Sequence, residues 1–425
     1  MPPIRFIHAA DLHLDAAFSG LSRDIPADFA ERLRTATFTT FRRLLDLCER
    51  ESPDFLLLAG DVYNQEDASV SAQLALRDGF RRLESLSIPV FLVHGNHDPL
   101  ASRLRSVRWP GNVTVFGELP DAVPVFRKGE GTPLAIIHGA SHASGRETRN
   151  LAALFRRTEA CGLHVGLLHA TPGDADGVAR YAPFSQGDLK ASGMDYWALG
   201  HIHDRREVCR EPLAAYPGCT QGLHINEPGE KGCLLVTAEA RTDGGYAVRT
   251  SFRPLGPAVW KTLDMDLGGA ASLDELENRL RTGLDRAAAE VWSGCEMLLV
   301  RLRLQGRTEL DGLLRKGTTC AELADRLRED GSGVPRIWIK DIDVATRPCV
   351  ERGALLERED LLGEVFRLSE AARTASGLQA LREGPLAPLF AHARAGKALE
   401  PLTDEELARL LDDAESLCLD LLEND

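Results

Sequence analysis

Along the first 255 residues, short apolar runs alternate with longer segments in which apolar positions recur at three-and-four spacing. The runs Arg5–Ala10, Phe55–Ala59, Pro89–Val93, Leu134–Ile137, Leu163–Leu168 and Tyr196–Leu199 read as strands. Ala27–Glu51 and Ser69–Leu86 read as helices on the same criterion. Alternation of this kind predicts an α/β sheet covered by helices. Past His203 the pattern changes to short strands and turns, marked by Tyr216-Pro-Gly and Gly244-Gly245. Pro254-Leu-Gly-Pro257 then reads as a hinge.

The segment after the hinge reads β-α-β-α-β: a strand at Val259–Leu267, a helix opened by Ser272-x-x-Glu275, a strand at Met297–Gln305, a helix opened by Thr319-x-x-Glu322, and a strand at Arg336–Val344. Both openings match the capping box, in which hydroxyl and carboxylate satisfy each other's orphan amides. From Arg358 the pattern is helical to the end, interrupted near Gly384-Pro385. The expected organisation is an α/β domain over 1–255, a smaller α+β accessory domain over 258–350 and a helical region over 351–425.

A length of 425 residues fits such a division. The longest apolar runs fall far short of the ~18 residues of a membrane helix, and no basic, apolar leader opens the chain, so a soluble cytoplasmic protein is expected. Nine scattered cysteines without a CxxC pair fit reduced thiols better than disulfides or a thiolate zinc site. The net charge of −14 argues against nucleic acid only in bulk, because residues 401–425 carry −8 of it. Locally, 101–150 has seven Lys/Arg against four acids, and 301–350 ten against eight. Whole-chain charge governs solubility and steering, not what one cleft binds.

The chemistry is concentrated at the ends of the apolar runs. Arg5–Ala10 leads into Asp11-Leu-His13, Phe55–Ala59 into Gly60-Asp61, and Pro89–Val93 into His94-Gly-Asn96-His97-Asp98. Leu163–Leu168 ends at His169, and Tyr196–Leu199 at Gly200-His201-Ile-His203. Ligands of open α/β sheets bind beyond the carboxyl ends of the strands, so motifs spread over nearly 200 residues can meet at one site. The glycines before Asp61, Asn96 and His201 suit close backbone approach. Carboxylate, amide oxygen and imidazole without thiolate favour manganese or iron, with zinc also compatible. Such a set exceeds one tetrahedral site but suits two octahedral ions about 3.5–4 Å apart, which activate water and neutralise a phosphoryl group. An isolated Asp-x-His is more often a turn; the ordered series at strand ends carries the reading.

The series DxH, GD, GNHD, a lone His and GHxH resembles the calcineurin-like metallophosphoesterases over about residues 4–240. His8-Ala-Ala-Asp-Leu-His-Leu-Asp15 and Tyr216-Pro-Gly-Cys-Thr-Gln-Gly222 further resemble the bacterial YhaO-type nucleases, relatives of SbcD and of the nuclease subunit of double-strand-break repair complexes. The resemblance implies a sandwich of mixed β-sheets flanked by helices, with a capping α+β domain and a helical tail. It implies two divalent metal ions, manganese being the expected choice. Asp11, His13 and His203 would hold the first ion, Asp61 would bridge, and Asn96, His169 and His201 would hold the second. His97 would be catalytic, acting on the departing oxygen while a water held between the metals attacks phosphorus, and Asp98 would orient it. The implied activity is a DNA phosphodiesterase, exonuclease or endonuclease, acting in repair at the nucleoid. A small-nucleotide phosphodiesterase or phosphatase is the alternative, but Gly60-Asp-Val-Tyr-Asn64 lacks the GDxxDRG of protein phosphatases. A DNA-end-binding scaffold subunit is the third reading.

One departure is Val62-Tyr63-Asn64, where archaeal nucleases of this group carry a second functional histidine. Of the other histidines, His8, His94, His138 and His164 read as core or supporting groups, and His224 and His392 have no supporting pattern. His142, in a polar loop, is a candidate substrate contact. The pairs Arg42-Arg43, Arg103-x-Arg105 and Arg156-Arg157 read as solvated faces, whereas Arg205-Arg206, two residues past His203, could hold a phosphate backbone. No GxxxxGK[ST] loop is present. Any ATP-driven step must therefore come from a partner, which the resemblance implies is an SbcC- or YhaN-type coiled-coil ATPase; a homodimer is left open. A helix opened by Thr403-x-x-Glu406 offers a dock, with Leu407, Leu410, Leu411, Ala414, Leu417, Cys418 and Leu421 as an apolar stripe and Glu405, Asp412, Asp413 and Glu415 opposite.

Overall fold

A computed structural model describes residues 2–21, 25–64, 70–101, 107–173, 180–242, 244–329, 333–349, 352–391 and 402–423. By its internal contacts the chain forms two compact units. One comprises Met1–Thr262, Arg286–Arg301 and Gly331–Lys340, the other Leu263–Asp285, Leu302–Asp330 and Asp341–Asp425.

Two six-stranded mixed sheets build the first unit. One contains β1 (Ile4–Ala9), β2 (Phe55–Ala59), β3 (Val90–Val93), β4 (Val113–Val115), β11 (Gly232–Ala240) and β12 (Tyr246–Pro254), in the order β12-β11-β1-β2-β3-β4. The other contains β5 (Asp121–Val125), β6 (Ala135–Ala140), β7 (Leu163–His169), β8 (Tyr196–Gly200), β9 (Arg206–Arg210) and β10 (Leu213–Tyr216), in the order β5-β6-β7-β8-β10-β9. β1 to β3 run parallel, as do β7, β8 and β10, so within each sheet the loops that follow these strands leave one edge.

Period-two alternation explains why these runs are continuously apolar: both faces are covered. In β2, Phe55, Leu57 and Ala59 face the other sheet, meeting Val165, Leu167, Tyr196 and Ala198. Leu56 and Leu58 face outward onto Phe41, Leu44, Leu76 and Phe80, carried by α2 (Ala36–Glu51) and α3 (Val70–Ser85). On the second sheet Leu168, Trp197 and Leu199 turn outward to Phe155 and to Leu189 of α4 (Gln186–Ala191).

The helix expected over Ala27–Glu51 is broken, with α1 (Ala27–Arg34) ending at Thr35. The Thr35 hydroxyl bonds back to the Glu31 and Arg32 carbonyls (3.0 and 3.3 Å), a competition with the backbone ladder that bends helices. The stretch after His203, expected to hold only short strands, also forms the nine-residue pair β11–β12.

The β-α-β-α-β order of the following segment is present as β13 (Ala258–Asp266), α5 (Leu273–Glu290), β14 (Met297–Thr308), a short α6 (Asp311–Leu314), α7 (Gly317–Glu329) and β15 (Arg336–Pro348), with sheet order β13-β14-β15. Ser272 caps α5 through the Glu275 amide (3.2 Å), but Glu275 reaches the Ala271 amide instead of closing the box. Thr319 is not a cap: α7 starts two residues earlier, and the Thr319 amide already bonds to Lys316 O (3.0 Å).

The tail comprises α8 (Arg352–Leu356), α9 (Leu361–Ala372), α10 (Ala375–Glu383), α11 (Ala387–Ala391) and α12 (Asp404–Glu423). Thr403 and Glu406 form the expected reciprocal cap. The faces of α12 differ from the expected ones. Leu419 packs with Leu355, Leu362 and Phe366, and Leu407 is buried, while Leu410, Leu417 and Leu421 are exposed. Glu415, expected on the outer face, is buried and takes Arg352 (2.9 Å) and Arg373 (3.1 Å); Asp412 takes Arg373 (2.7 Å). These guanidiniums draw Glu415 and, in part, Asp412 inward, while Glu405 and Asp413 stay exposed. No helix among the described residues is long and apolar enough to cross a membrane, and all nine cysteines are free.

Candidate metal centre

Every candidate ligand stands at or just past the carboxyl end of a strand. Asp11 and His13 follow β1, Asp61 follows β2 and Asn96 follows β3; His169 ends β7, and His201 and His203 follow β8. The loops are locked to one another by backbone bonds from Asp11 N to Gly60 O (3.1 Å) and His13 N to Asp61 O (3.0 Å). The Asp11 carboxylate accepts the His201 amide (3.1 Å), joining loops of the two sheets. Asp11, His13, Asp61 and His201 all have positive φ (51°, 40°, 49° and 102°), a backbone cost tolerated where the surroundings over-determine the conformation. At Gly95 a Cβ would lie 2.3 Å from Asp61 Oδ1, so the close approach expected of that glycine is required.

The side chains form two groups, Asp11–His13–His203 and Asp61–His169–His201, each with its ligand atoms within 4.8 Å of one another. Asn96 Oδ1 joins the second, 3.1 Å from both His169 Nε2 and His201 Nδ1. The exposed His97 ring lies at the rim, its centroid 5.2 Å from that of His13, and its amide donates to Asp61 Oδ1 (2.9 Å).

Tautomers decide what these groups can hold. Ala59 O can only accept, so His169 Nδ1 carries the proton toward it (2.9 Å). His203 Nδ1 donates to the Glu227 carboxylate, and His13 Nδ1 to Asn64 Oδ1 (2.7 Å). The Nε2 atoms of all three rings then point inward, with His13 and His203 Nε2 only 3.2 Å apart. Three Nε2 atoms converging on two buried carboxylates form a donor set that a cation satisfies in place of the ring protons. The electrostatics show how tightly these groups are coupled. Burial pushes the Asp11 carboxyl up, only partly opposed by His169 and His203. Burial would also raise Asp61, but His169 outweighs it and holds the carboxyl well below its usual range. His169, which burial alone would lower, is raised by Asp61 to about 9. The residues present thus fit two divalent ions.

Asp98 does not orient the His97 ring here. It is buried, Oδ1 accepting the Gly95 amide (2.7 Å) and Oδ2 the Val62 amide (3.0 Å), and among the described residues no hydrogen bond joins it to that ring. Two short loops need a shared acceptor more than the exposed ring needs a partner. His142 is likewise no substrate contact: it is fully buried, with Nε2 2.6 Å from His169 O. His8 is held by Tyr196 Oη (2.9 Å) with its pKa driven to about 3 by burial, and His138 pairs with His164 (2.9 Å). His94 sits against Asp98 (3.3 Å). His392 and Arg103-x-Arg105 lie outside the described residues.

Sequence reasoning missed Glu227 and Asn64. Glu227 reaches His203 across 24 positions, with no local pattern to flag it, and its other oxygen accepts the Leu223 amide (2.7 Å). His224 Nε2 also lies 3.2 Å from Glu227. Asn64 belongs to the Val62-Tyr63-Asn64 stretch in which the resemblance expects a histidine, and that departure was the only available signal.

The profile of calcineurin-like phosphoesterases matches residues 4–205, and that of the middle domain of metallophosphoesterase YhaO matches 260–347. An uncharacterized metallophosphoesterase, YhaO, of Bacillus subtilis is 34% identical over 388 residues, covering 90% of this chain and 91% of that protein. The DNA double-strand break repair protein Mre11 of Aeropyrum pernix is 28% identical over 320 residues, covering 68% and 69%. Its namesake in Methanopyrus kandleri is 23% identical over 383 residues, covering 77% and 79%. With the ordered motifs and both profiles in register, the chain belongs to the calcineurin-like metallophosphoesterases of the YhaO type.

Proposed function

We propose that the protein is a two-metal DNA phosphodiesterase, an exonuclease or endonuclease of DNA repair working in the cytoplasm at the nucleoid. The observation that supports this reading is the convergence of Asp11, His13 and His203 in one group and Asp61, Asn96, His169 and His201 in another, each able to hold a cation. Bound divalent ions supply an activated water and neutralise the phosphoryl charge. Asp61 lies with the second group, and His97, exposed at the rim, would give a proton to the departing oxygen. Asp11 and Glu227 fix the backbone of His201 and the ring of His203, and Asn64 fixes His13. Support for DNA as substrate comes from the two Mre11 relatives named above.

Imidazole-rich sites suit manganese, whereas magnesium prefers oxygen and keeps its waters. Chelator-stripped protein should therefore regain hydrolysis of a bis-aryl phosphate and of linear DNA with manganese, and little of either with magnesium. Hydrolysis of dinucleoside polyphosphates but not DNA would replace this reading with the small-nucleotide one. No metal-dependent hydrolysis at all would leave a scaffold.

In this reading residues 1–255 carry the hydrolysis, 258–350 cap it and 351–425 meet a partner. With no phosphate-cradling loop of its own, the chain needs a coiled-coil ATPase for any ATP-driven step. The exposed Leu410, Leu417 and Leu421 of α12 are the contact expected. Leu410→Glu with Leu417→Glu should abolish co-purification of such an ATPase with the full chain; retention by the variant would remove α12 from the interface.

A further inference from the structure

Beside the metal ligands, the chain turns from β8 into β9 through Asp204, Arg205 and Arg206. Arg206 pairs in register with Tyr216, so it sits where β10, parallel to β8, ends at the edge that bears the ligands. On the facing sheet, Phe252 pairs with Leu234, and Leu234 with His8, three residues before Asp11. Arg205, Arg206, Tyr216, Leu234 and Phe252 line one cleft of about 300 Å³ at this end of the sandwich.

The two guanidiniums are held in place without being neutralised. Arg205 lies over the Phe252 ring at 4.0 Å and Arg206 over the Tyr216 ring at 5.6 Å. Aromatic faces of this kind orient a guanidinium while leaving its in-plane donors free for an anion. Neither Arg forms an ion pair with a described carboxylate: Asp204 is taken by Lys231 (3.2 Å), and Glu207, which also lines the cleft, is not within pairing distance of either. Arg43, Arg82, Arg127, Arg149 and Arg157 of the same unit are, by contrast, each tied to a carboxylate. The Tyr216 hydroxyl bonds to Ala170 O (2.6 Å), next to His169, so the ring under Arg206 also buttresses a metal-ligand segment.

We infer that this cleft binds backbone phosphate of the nucleic-acid strand that enters or leaves the metal centre, with Arg205 and Arg206 as the donors. The inference rests on the DNA reading above and adds where the strand is gripped. A chain of net charge −14 has no long-range attraction for a polyanion, so local uncompensated cations must receive it.

The test uses the full chain and a fluorescent single-stranded oligonucleotide, titrated from low to moderate salt. Arg205→Ala with Arg206→Ala should weaken binding by roughly tenfold or more, and should flatten the log–log salt slope by about 1.4, at ~0.7 per phosphate contact. Arg205→Lys with Arg206→Lys should recover most of the salt slope. Arg42→Ala, on an exposed helical face, controls for bulk charge and should bind as the wild type does. An unchanged affinity and slope in the double alanine variant overturns the cleft while leaving the DNA reading intact. Failure of the wild-type chain itself to bind the oligonucleotide overturns both.

Discussion

Asp61→Ala should purify with little bound metal and with activity down by at least ~10³-fold, equivalent to about 4 kcal/mol of transition-state stabilisation. The carboxylate stands among His169 (3.2 Å), the His97 amide and the loop that carries Asp11, so its loss removes a ligand and the charge that balances the imidazoles together. Two other variants grade the same measurement. Glu227→Gln keeps an acceptor for the Leu223 amide but loses the charge facing His203, and removing such a supporting partner typically costs about 10–100-fold in metal affinity. His97→Ala should retain both ions and lose turnover by roughly 10²–10⁴-fold, the range of a general acid. Metal analysis of the three proteins decides the assignment. Depletion in His97→Ala equal to that in Asp61→Ala would make His97 a ligand.

A single methyl group at Gly200 should be nearly as damaging. A Cβ there would lie 1.8 Å from Ala59 O and 2.9 Å from His169 Nδ1. The first neighbour is backbone of β2 and cannot swing aside; the second is a ring already bonded to that same carbonyl. Gly200→Ala must therefore force β8 away from β2, at the upper end of the roughly 1–3 kcal/mol typical of overpacking, or beyond it. A clear drop in melting temperature with loss of metal is expected. A variant as stable and as metal-loaded as the wild type would show that the two strands do not approach as described.

The strands that position the centre were legible because each is short, apolar on both faces and followed at once by a polar motif; Phe55–Ala59 before Gly60-Asp61 is the clearest case. The glycines were legible for the same reason, since a ligand loop pressed against another strand leaves no room for a side chain. What escaped was set by contacts distant in sequence. Glu227 and Asn64 matter only because the fold brings them to Nδ1 of His203 and His13. Asp98 lay in a recognised motif, yet its role is decided by the amides of Gly95 and Val62. On α12 the periodicity was visible, but Arg352 and Arg373 determined which acidic residues turned inward.

The candidate ligands come from both sheets, with Asp11, His13, Asp61 and Asn96 on one and His169, His201 and His203 on the other. Ions seated among them would act as rivets through two layers that otherwise adhere by apolar contact and a few hydrogen bonds, such as those between Asp11 and His201 and between His169 and Ala59. Anything that binds only the folded state adds RT ln(1 + [L]/Kd), about 2.7 kcal/mol at a hundredfold excess over Kd. The coupling is reciprocal: a substitution deep in the interface between the layers, far from any ligand, that lets them slide would be felt at the metals as weakened affinity. Catalytic competence and mechanical integrity of the sandwich then share one fastening.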